Sequence, residues 1–554
     1  MSDQFTSRYE DLLAGHYDCV DRIVVNAWLP GCGNGGGFRN WWRSLHGSDE
    51  KLDDEHLMRM AGRFSRRLRA WAEANKVPVV DCGRGERKHL TAEEFLAEHT
   101  PGPGLFLILV GKAPGPVWHV QKTSQGKIGN VARKEPWPYV NHYFFHIMDP
   151  DWGHVTIRMC GHPPFHAQII LNGHEFVACQ ARAMKPEPVA FVKEGNCFIH
   201  TSNPEGLQKA ADTLRSKDAT GLLKQICERW IYSTCLCFAL DTEEQSRCGF
   251  RYEYSSFQLE YSRNLQFHSG GQMEQVFQSL IDRTRVSLDL DKVKTILGYQ
   301  KRPWKRKYRE GRYEVIVEKP EYGLTVFKVH YGKLTLKIYS KGERVLRIEV
   351  IVHNTKGLPG SRPLEKFPQV VEWLRGITSR FLETLSGIER CFIADDTLEQ
   401  LPEPAQVGGT RVSGIDCNQP RMRTAMRAAV ALATSPRGFT ASNLATKARA
   451  LNSPSAKPYS ARQAAYDLRK MRGKQLVEKI GNSRRYQPTQ KGLRAMAALG
   501  VLREKAIKPL LAASCHPSVR PDTQHLQNPT TVDQHYEILR SGLQGLFGAL
   551  GIAA

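Results

Sequence analysis

Apolar positions along the chain follow two rhythms, one of period two and one of three and four. Residues 21–29 (DRIVVNAWL), 77–81 and 105–111 read as strands, whereas 57–73 and 91–98 carry the spacing of amphipathic helices. Strand and helix alternate in this way as far as residue 130, so 1–130 is expected to be a small α/β domain. Between 131 and 300 the pattern is mixed. Strands fit at 143–148 and 154–159 in a turn-rich stretch, and helical spacing then runs from 206 to 297, clearest at 222–240 and 273–286. Period two returns between 312 and 353, and a helix at 364–388 closes a basic β/α domain over 301–395. Pro402, Pro404, Gly408 and Gly409 mark 396–417 as a linker.

The pattern from 418 to 512 is the most explicit. A helix at 422–433 is followed by one at 440–451 with Thr440 as its N-cap, and by a third at 461–472 with Ser460 as its N-cap. Gly473 fits a left-handed stop. Strands at 475–480 and 484–486 flank a Gly481-Asn482-Ser483 turn, and Thr489 caps a last helix. Residues 513–554 read as a spacer and an amphipathic tail helix (532–550), a surface for docking or for a homodimer. The whole is expected to be an α+β multidomain protein: an N-terminal α/β domain, a mixed central region, a basic domain containing a β-hairpin, and a C-terminal winged helix-turn-helix.

Charge sharpens this picture. Of a net +22 over 554 residues, +17 lies between Arg421 and Lys508, where 20 Lys and Arg face three acids, Asp467, Glu478 and Glu504. A segment so one-signed repels itself and gains by neutralising a dense anion, for which phosphate backbones are the usual partner. In the third helix Arg462, Gln463, Tyr466, Arg469 and Lys470 fall outside the apolar stripe, and these side-chain types contact phosphates and read base edges. Arg484 and Arg485 sit where a wing would reach the backbone or the minor groove. With its YDLRK and SRRY segments, this block resembles winged-helix domains of the MarR-like type, which implies duplex DNA as partner.

Three further constellations carry chemistry. The run KRPWKRKYREGR (301–312) interleaves Lys301, Arg302, Lys305, Arg306, Lys307 and Arg309 with Trp304 and Tyr308, a composition suited to single-stranded DNA or RNA. The alternation over 334–353 places Lys337, Tyr339, Arg347, Glu349 and His353 on the face opposite the core. This hairpin resembles the tyrosine-x-lysine and arginine-x-glutamate hairpin of some rolling-circle replication initiators. That resemblance implies a catalytic Tyr339 attacking a DNA phosphate, with Glu349 and His146 serving a metal; the alternative is a sheet face of cross-strand ion pairs. Finally, six of the 19 histidines fall within 33 residues, and His142, His146 and His154 are candidate ligands for a divalent metal, Mg²⁺, Mn²⁺ or Zn²⁺. Asp81, Glu86, Arg87 and Lys88 with Asp21 are similar to carboxylate-and-lysine nuclease sites. The loop 31–37 is glycine-rich but lacks the frame of a nucleotide loop.

Composition bounds the setting. No apolar run of 18 residues exists, the N-terminus has no signal-peptide pattern, and 13 scattered cysteines without CxxC pairs suit reduced thiols, so no membrane partner and a cytoplasmic location are expected. The segments YVNHYFFHIMDPDWGH and IILNGHEFVACQA, the 334–353 hairpin and the last block together resemble a group of uncharacterised large bacterial proteins labelled MarR-like for their last domain. The expected function is nucleic-acid binding, as a regulator or mobile-element accessory factor. The alternatives are a metal-dependent nuclease or tyrosine strand-transferase of a mobile element, and an RNA-bound, DNA-targeting effector.

Overall fold

A computed structural model describes residues 4–83, 85–287, 294–297, 313–319, 326–331, 333–355, 363–389, 400–435, 437–451, 459–503, 534–535, 538–539 and 541–542. The protein is mixed α/β with several sheets, and its contacts separate two compact units. One comprises residues 9–274 and 294–378; the other comprises 1–8, 275–293 and 379–554.

The first unit is organised by a single twelve-stranded sheet. In chain order its strands are β1 (Leu13–Trp28), β2 (Val79–Asp81), β3 (Gly104–Pro114), β4 (Tyr139–Asp149), β5 (Gly153–Cys160) and β6 (Ala167–Asn172). They continue with β7 (Glu253–Phe267), β8 (Lys294–Leu297), β9 (Tyr313–Lys319), β10 (Val326–Tyr331), β11 (Leu334–Lys341) and β12 (Val345–Val352). Across the sheet the order is β8-β9-β10-β11-β12-β7-β1-β6-β5-β4-β3-β2. The sheet therefore takes strands from each of the spans 1–130, 131–300 and 301–395, and crosses both boundaries expected between them.

β1 lies in the middle because its apolar residues fill both faces. Val20, Ile23, Val24, Val25 and Ala27 are all buried, the signature of a strand covered on two sides. Its register against β7 shifts between Val20 and Ile23, so that Asp21 and Arg22 oppose Glu260 alone, the two-against-one count of a β-bulge. β7 is a strand where helix was expected. Its alternate positions Ser262, Asn264 and Gln266 are polar yet buried, which hides the usual apolar-in, polar-out signature.

Two close approaches fix neighbouring helices. The glycine-rich loop continues as a helix, Gly35–His46, capped by Asn34, and a Cβ on Gly35 would lie 1.8 Å from the Val131 carbonyl oxygen. The helix Gly173–Ala183 follows β6 without a loop, and a Cβ on Gly173 would lie 1.7 Å from the Val20 carbonyl oxygen. Both glycines serve backbone-to-backbone packing.

In the second unit, helices Pro420–Ala431, Ala441–Leu451 and Ala461–Gly473 are followed by a two-stranded hairpin (Val477–Lys479 with Tyr486–Pro488) and by the helix Gln490–Leu502. Met422, Met426, Phe439, Leu444, Leu468 and Met496 belong to one buried core. Two expectations change here. The span 396–417 is not a free linker: Leu401 and Ile415 enter this core, and Ala405–Val407 pairs with Thr410–Val412 as a small hairpin. Gly473 is not a left-handed stop either. The helix runs through it, Gln475 takes the positive φ of 55°, and the bare Gly473 Cα admits Ala405 and Val407, whose atoms would lie 2.8 and 3.0 Å from an added Cβ.

Among the described residues no helix is long and apolar enough to cross a membrane. The 301–312 run lies outside the described residues, as does most of the expected tail helix.

Candidate nucleic-acid interface and buried charged cluster

The helix Ala461–Gly473 begins with a capping box. Ser460 Oγ accepts from the Gln463 amide at 3.2 Å, and the Ser460 amide donates to Gln463 Oε1 at 2.8 Å. Gln463 is therefore committed to holding the helix start. Asp467, fully buried, locks the helix to its neighbours: it accepts from Arg421 Nη2 at 2.9 Å and from the Tyr459 hydroxyl at 2.8 Å. The helix is thus oriented by a carboxylate that sequence reading counted only as one of three acids.

Its outward face is shared. Tyr466 is 44% exposed, but its hydroxyl lies 3.0 Å from Ser413 Oγ. Lys470 donates to the Gly414 carbonyl at 3.2 Å and stands 5.2 Å from the centre of the Tyr466 ring. Residues 413–414 thus hold Tyr466 and Lys470 on one side of that face. Arg462 and Arg469, seven residues apart on the helix, stay open, exposed and unpaired with any acid among the described residues. On the second hairpin Arg484 is exposed at the turn, while Arg485 Nη1 donates to the Gly438 carbonyl at 3.2 Å. Glu478 accepts from Gln487 Nε2 at 2.6 Å, beside these cations but engaged elsewhere.

The expected Tyr339–Glu349 hairpin exists as β11 and β12, with Tyr339 opposite Arg347 and Lys337 opposite Glu349. The centre of its polar face is not a solvent face, although Lys337 and Tyr339 are part-exposed and His353 at its end is exposed. Arg347 is 1% exposed and Glu349 3%, because the bulge of β1, the start of Gly173–Ala183 and the Asn196–Phe198 segment close over it. Arg347 is the hub: Nη1 donates to Asp21 Oδ2 at 2.9 Å, Nε to Asn264 Oδ1 at 2.7 Å, and Nη2 to the Asn196 carbonyl. Nη2 also lies 3.3 Å from His174 Nε2, which must accept there, so the ring carries its proton on Nδ1, 3.2 Å from Asp21 Oδ1. Burial would raise the Asp21 carboxyl, but His174, Arg347 and the amide of Asn196 outweigh it and hold it well below the ordinary range.

Next to this hub lies a second group. Lys337 Nζ donates to Glu349 Oε2 at 2.9 Å, and Gln258 Nε2 donates to Glu260 Oε1 at 2.7 Å. Burial, then Glu349 and Asp21, push the Glu260 carboxyl up to about 7. Burial also raises Glu349, against the pull of Lys337. Tyr339 is raised by burial and by Glu349, so its hydroxyl stays protonated. A nucleophilic tyrosine needs the opposite shift.

His146 is not part of this cluster. It sits on β4, where Nδ1 lies 2.9 Å from His154 Nε2, and both rings reach Thr156 Oγ1. Burial, then His154, pull His146 down to about 3. His142 stands four residues back on the same strand, its Nδ1 3.2 Å from the Val140 carbonyl. The three expected ligands therefore do not converge, and among the described residues no group of three or more His, Cys, Asp or Glu side chains is placed to hold a metal ion. Asp81 pairs with Arg69 at 2.7 Å on the surface, whereas Asp21 is buried with Arg347, so these two carboxylates form no common site.

Sequence reading missed the partners Asn196 and Glu260 and counted His174 only among the six clustered histidines; the three come from distant segments. The one available signal was charge in the apolar context of β1, where Asp21 precedes IVV. No family model, curated protein or solved structure matches the chain, so its function is read from these residues and their geometry alone.

Proposed function

We propose that this protein binds nucleic acid and that its C-terminal 420–502 block acts as a winged helix on duplex DNA, in the service of a regulator or mobile-element accessory factor. The observation that carries the reading is the fate of the two described acids in the +17 segment, the third, Glu504, lying outside the described residues. Asp467 is consumed inside the core and Glu478 is engaged by Gln487, while Arg462, Arg469 and Arg484 remain exposed without acidic partners among the described residues. Uncompensated exposed guanidinium groups on one helix and one adjacent turn suit a phosphate backbone, and the N-terminal end of such a helix is the part that enters a major groove. The strand-transferase alternative is disfavoured by Tyr339, whose hydroxyl is kept protonated by burial and by Glu349.

The test uses the full chain and a labelled duplex across a salt series. Arg462→Gln with Arg469→Gln should lower the affinity and reduce the slope of log affinity against log salt by about one for each phosphate no longer neutralised. A double variant that binds duplex as wild type does, with an unchanged slope, would refute the assignment.

A further inference from the structure

The first unit contains a cleft of about 1100 Å³ whose floor is one face of the sheet. Arg158 on β5 pairs in register with Gln168 on β6, Gln168 with Asn26 on β1, and Asn26 with Ser255 on β7. A single transverse row of polar side chains therefore lines the floor, and within it Gln168 Nε2 donates to Asn26 Oδ1 at 2.8 Å. Such a row is unusual at the centre of a sheet, where the same positions ordinarily bury apolar groups.

Charge makes the row more specific. Arg158 is half-buried, its buried Nε has no hydrogen-bond partner, and among the described residues no carboxylate pairs with it. Arg133 also lines the cleft without an acidic partner among those residues, its guanidinium 5.1 Å from the centre of the Trp118 ring. Two imidazoles lie beside them: burial and then Arg158 bring His142 down to about 4, and burial and then Arg133 do the same to His166. Two arginines beside two neutral imidazoles leave the inner cleft with positive charge that none of the described residues balances. Of the acids at the cleft, Glu228 and Glu253 are exposed and Glu365 is held by Lys224 at 2.7 Å. Leaving a cation half-buried without a counterion is costly, and an anionic ligand removes that cost.

Aromatic surface supplies the second half of the ligand. Trp137 lines the cleft with 44% of its surface exposed, and Trp28, half-buried, lines it as well. Arginines without acids, flat aromatic faces and amide side chains in one cleft match a phosphate joined to a base.

We propose that this cleft binds a nucleotide unit, its phosphate on Arg158 and Arg133 and its base against Trp137. Free nucleotide and single-stranded nucleic acid both present that chemistry. Its residues are not those of the proposed duplex interface, and the experiment tests the two independently.

Fluorescence anisotropy of the full chain would be measured with three probes: a labelled twelve-nucleotide oligothymidine, a fluorescent ATP analogue, and a labelled duplex. Trp137→Ala should weaken the single strand or the ATP analogue about tenfold, a typical effect of removing one stacking partner. Arg133→Gln should weaken it severalfold by removing a phosphate contact, and both should leave the duplex unaffected. Arg158→Gln should weaken it more strongly, with the melting temperature followed in parallel to confirm folding. Arg462→Gln with Arg469→Gln should do the reverse, losing the duplex only. Uptake of the ATP analogue identifies a free nucleotide; uptake of the oligothymidine alone identifies a single strand. The proposal is overturned if wild type takes up neither probe, or if Arg133→Gln and Trp137→Ala bind both as wild type does.

Discussion

Replacing Glu260 by Gln isolates one buried proton. Its carboxyl has an ordinary pKa of 4.5 and is pushed up to about 7 by burial, then by Glu349 and Asp21, with Lys337 opposing. A folded-state pKa above the unfolded one means that the native protein holds the proton more tightly. Its contribution to stability is therefore complete below about pH 4.5 and is lost as pH rises through about 7. Two and a half units at 1.36 kcal/mol each set a ceiling of about 3 kcal/mol, and since Glu349 accepts part of the same protonation, about 1–3 kcal/mol is expected. Gln has the same shape, cannot ionise and keeps a carbonyl for the amide of Gln258. Glu260→Gln should thus match wild type near pH 5 and exceed it by about 1–3 kcal/mol near pH 8.5. Hydrogen exchange of the Glu253–Phe267 strand, read at both pH values and corrected for intrinsic rates, reports the local difference. A variant whose stability relative to wild type is the same at both would refute the argument that this carboxyl is buried beside another.

Two further outcomes follow from the geometry. Asp467→Asn weakens the buried hydrogen bonds from Arg421 and Tyr459 while leaving the part-exposed Arg421 in contact with water, so the second unit should lose about 1–3 kcal/mol, seen as early unfolding of helix Ala461–Gly473 in urea followed by hydrogen exchange; retention of wild-type protection would show that the clamp is dispensable. Tyr339→Phe removes only a protonated hydroxyl and should change neither duplex affinity nor stability by more than about 1 kcal/mol. A covalent DNA adduct formed by wild type and lost in this variant would show the tyrosine to be a nucleophile.

What could be read from the sequence divides along local and distant interactions. The helix starts at Thr440, Ser460 and Thr489 were legible because a cap is a contact across three residues: the Asn443 amide donates to Thr440 Oγ1 at 3.2 Å, and the Gly492 amide to Thr489 Oγ1 at 2.9 Å. The β11–β12 pairing was legible because a short turn sets its register. The burial of its polar face was not, since what covers Arg347 and Glu349 comes from residues 17–21, 174 and 196–198. β7 failed for a related reason: polar residues whose partners lie far away in sequence blur the period-two signal. Pro402, Pro404, Gly408 and Gly409 suggested a linker because they mark turns equally well in a packed hairpin and in a loose tether. At the candidate interface, residue types pointed to the outward face of 461–473, but only the fold distinguishes the open Arg462 and Arg469 from Tyr466 and Lys470, which are held by 413–414.

If the helix reads DNA as proposed, that division of its face would limit how much genetic information one copy could extract. The stretch from Ala461 to Arg469, which carries the open Arg462 and Arg469, spans about 13 Å at 1.5 Å per residue, the length of about four base pairs of duplex. A word of four letters recurs about once every 250 positions in random sequence, so a genome would hold thousands of equivalent addresses for it. A chain reading DNA through this helix alone would be a general occupant of DNA. Any narrower siting has to come from a second copy, from the shape of the DNA, or from whatever the large first unit recognises.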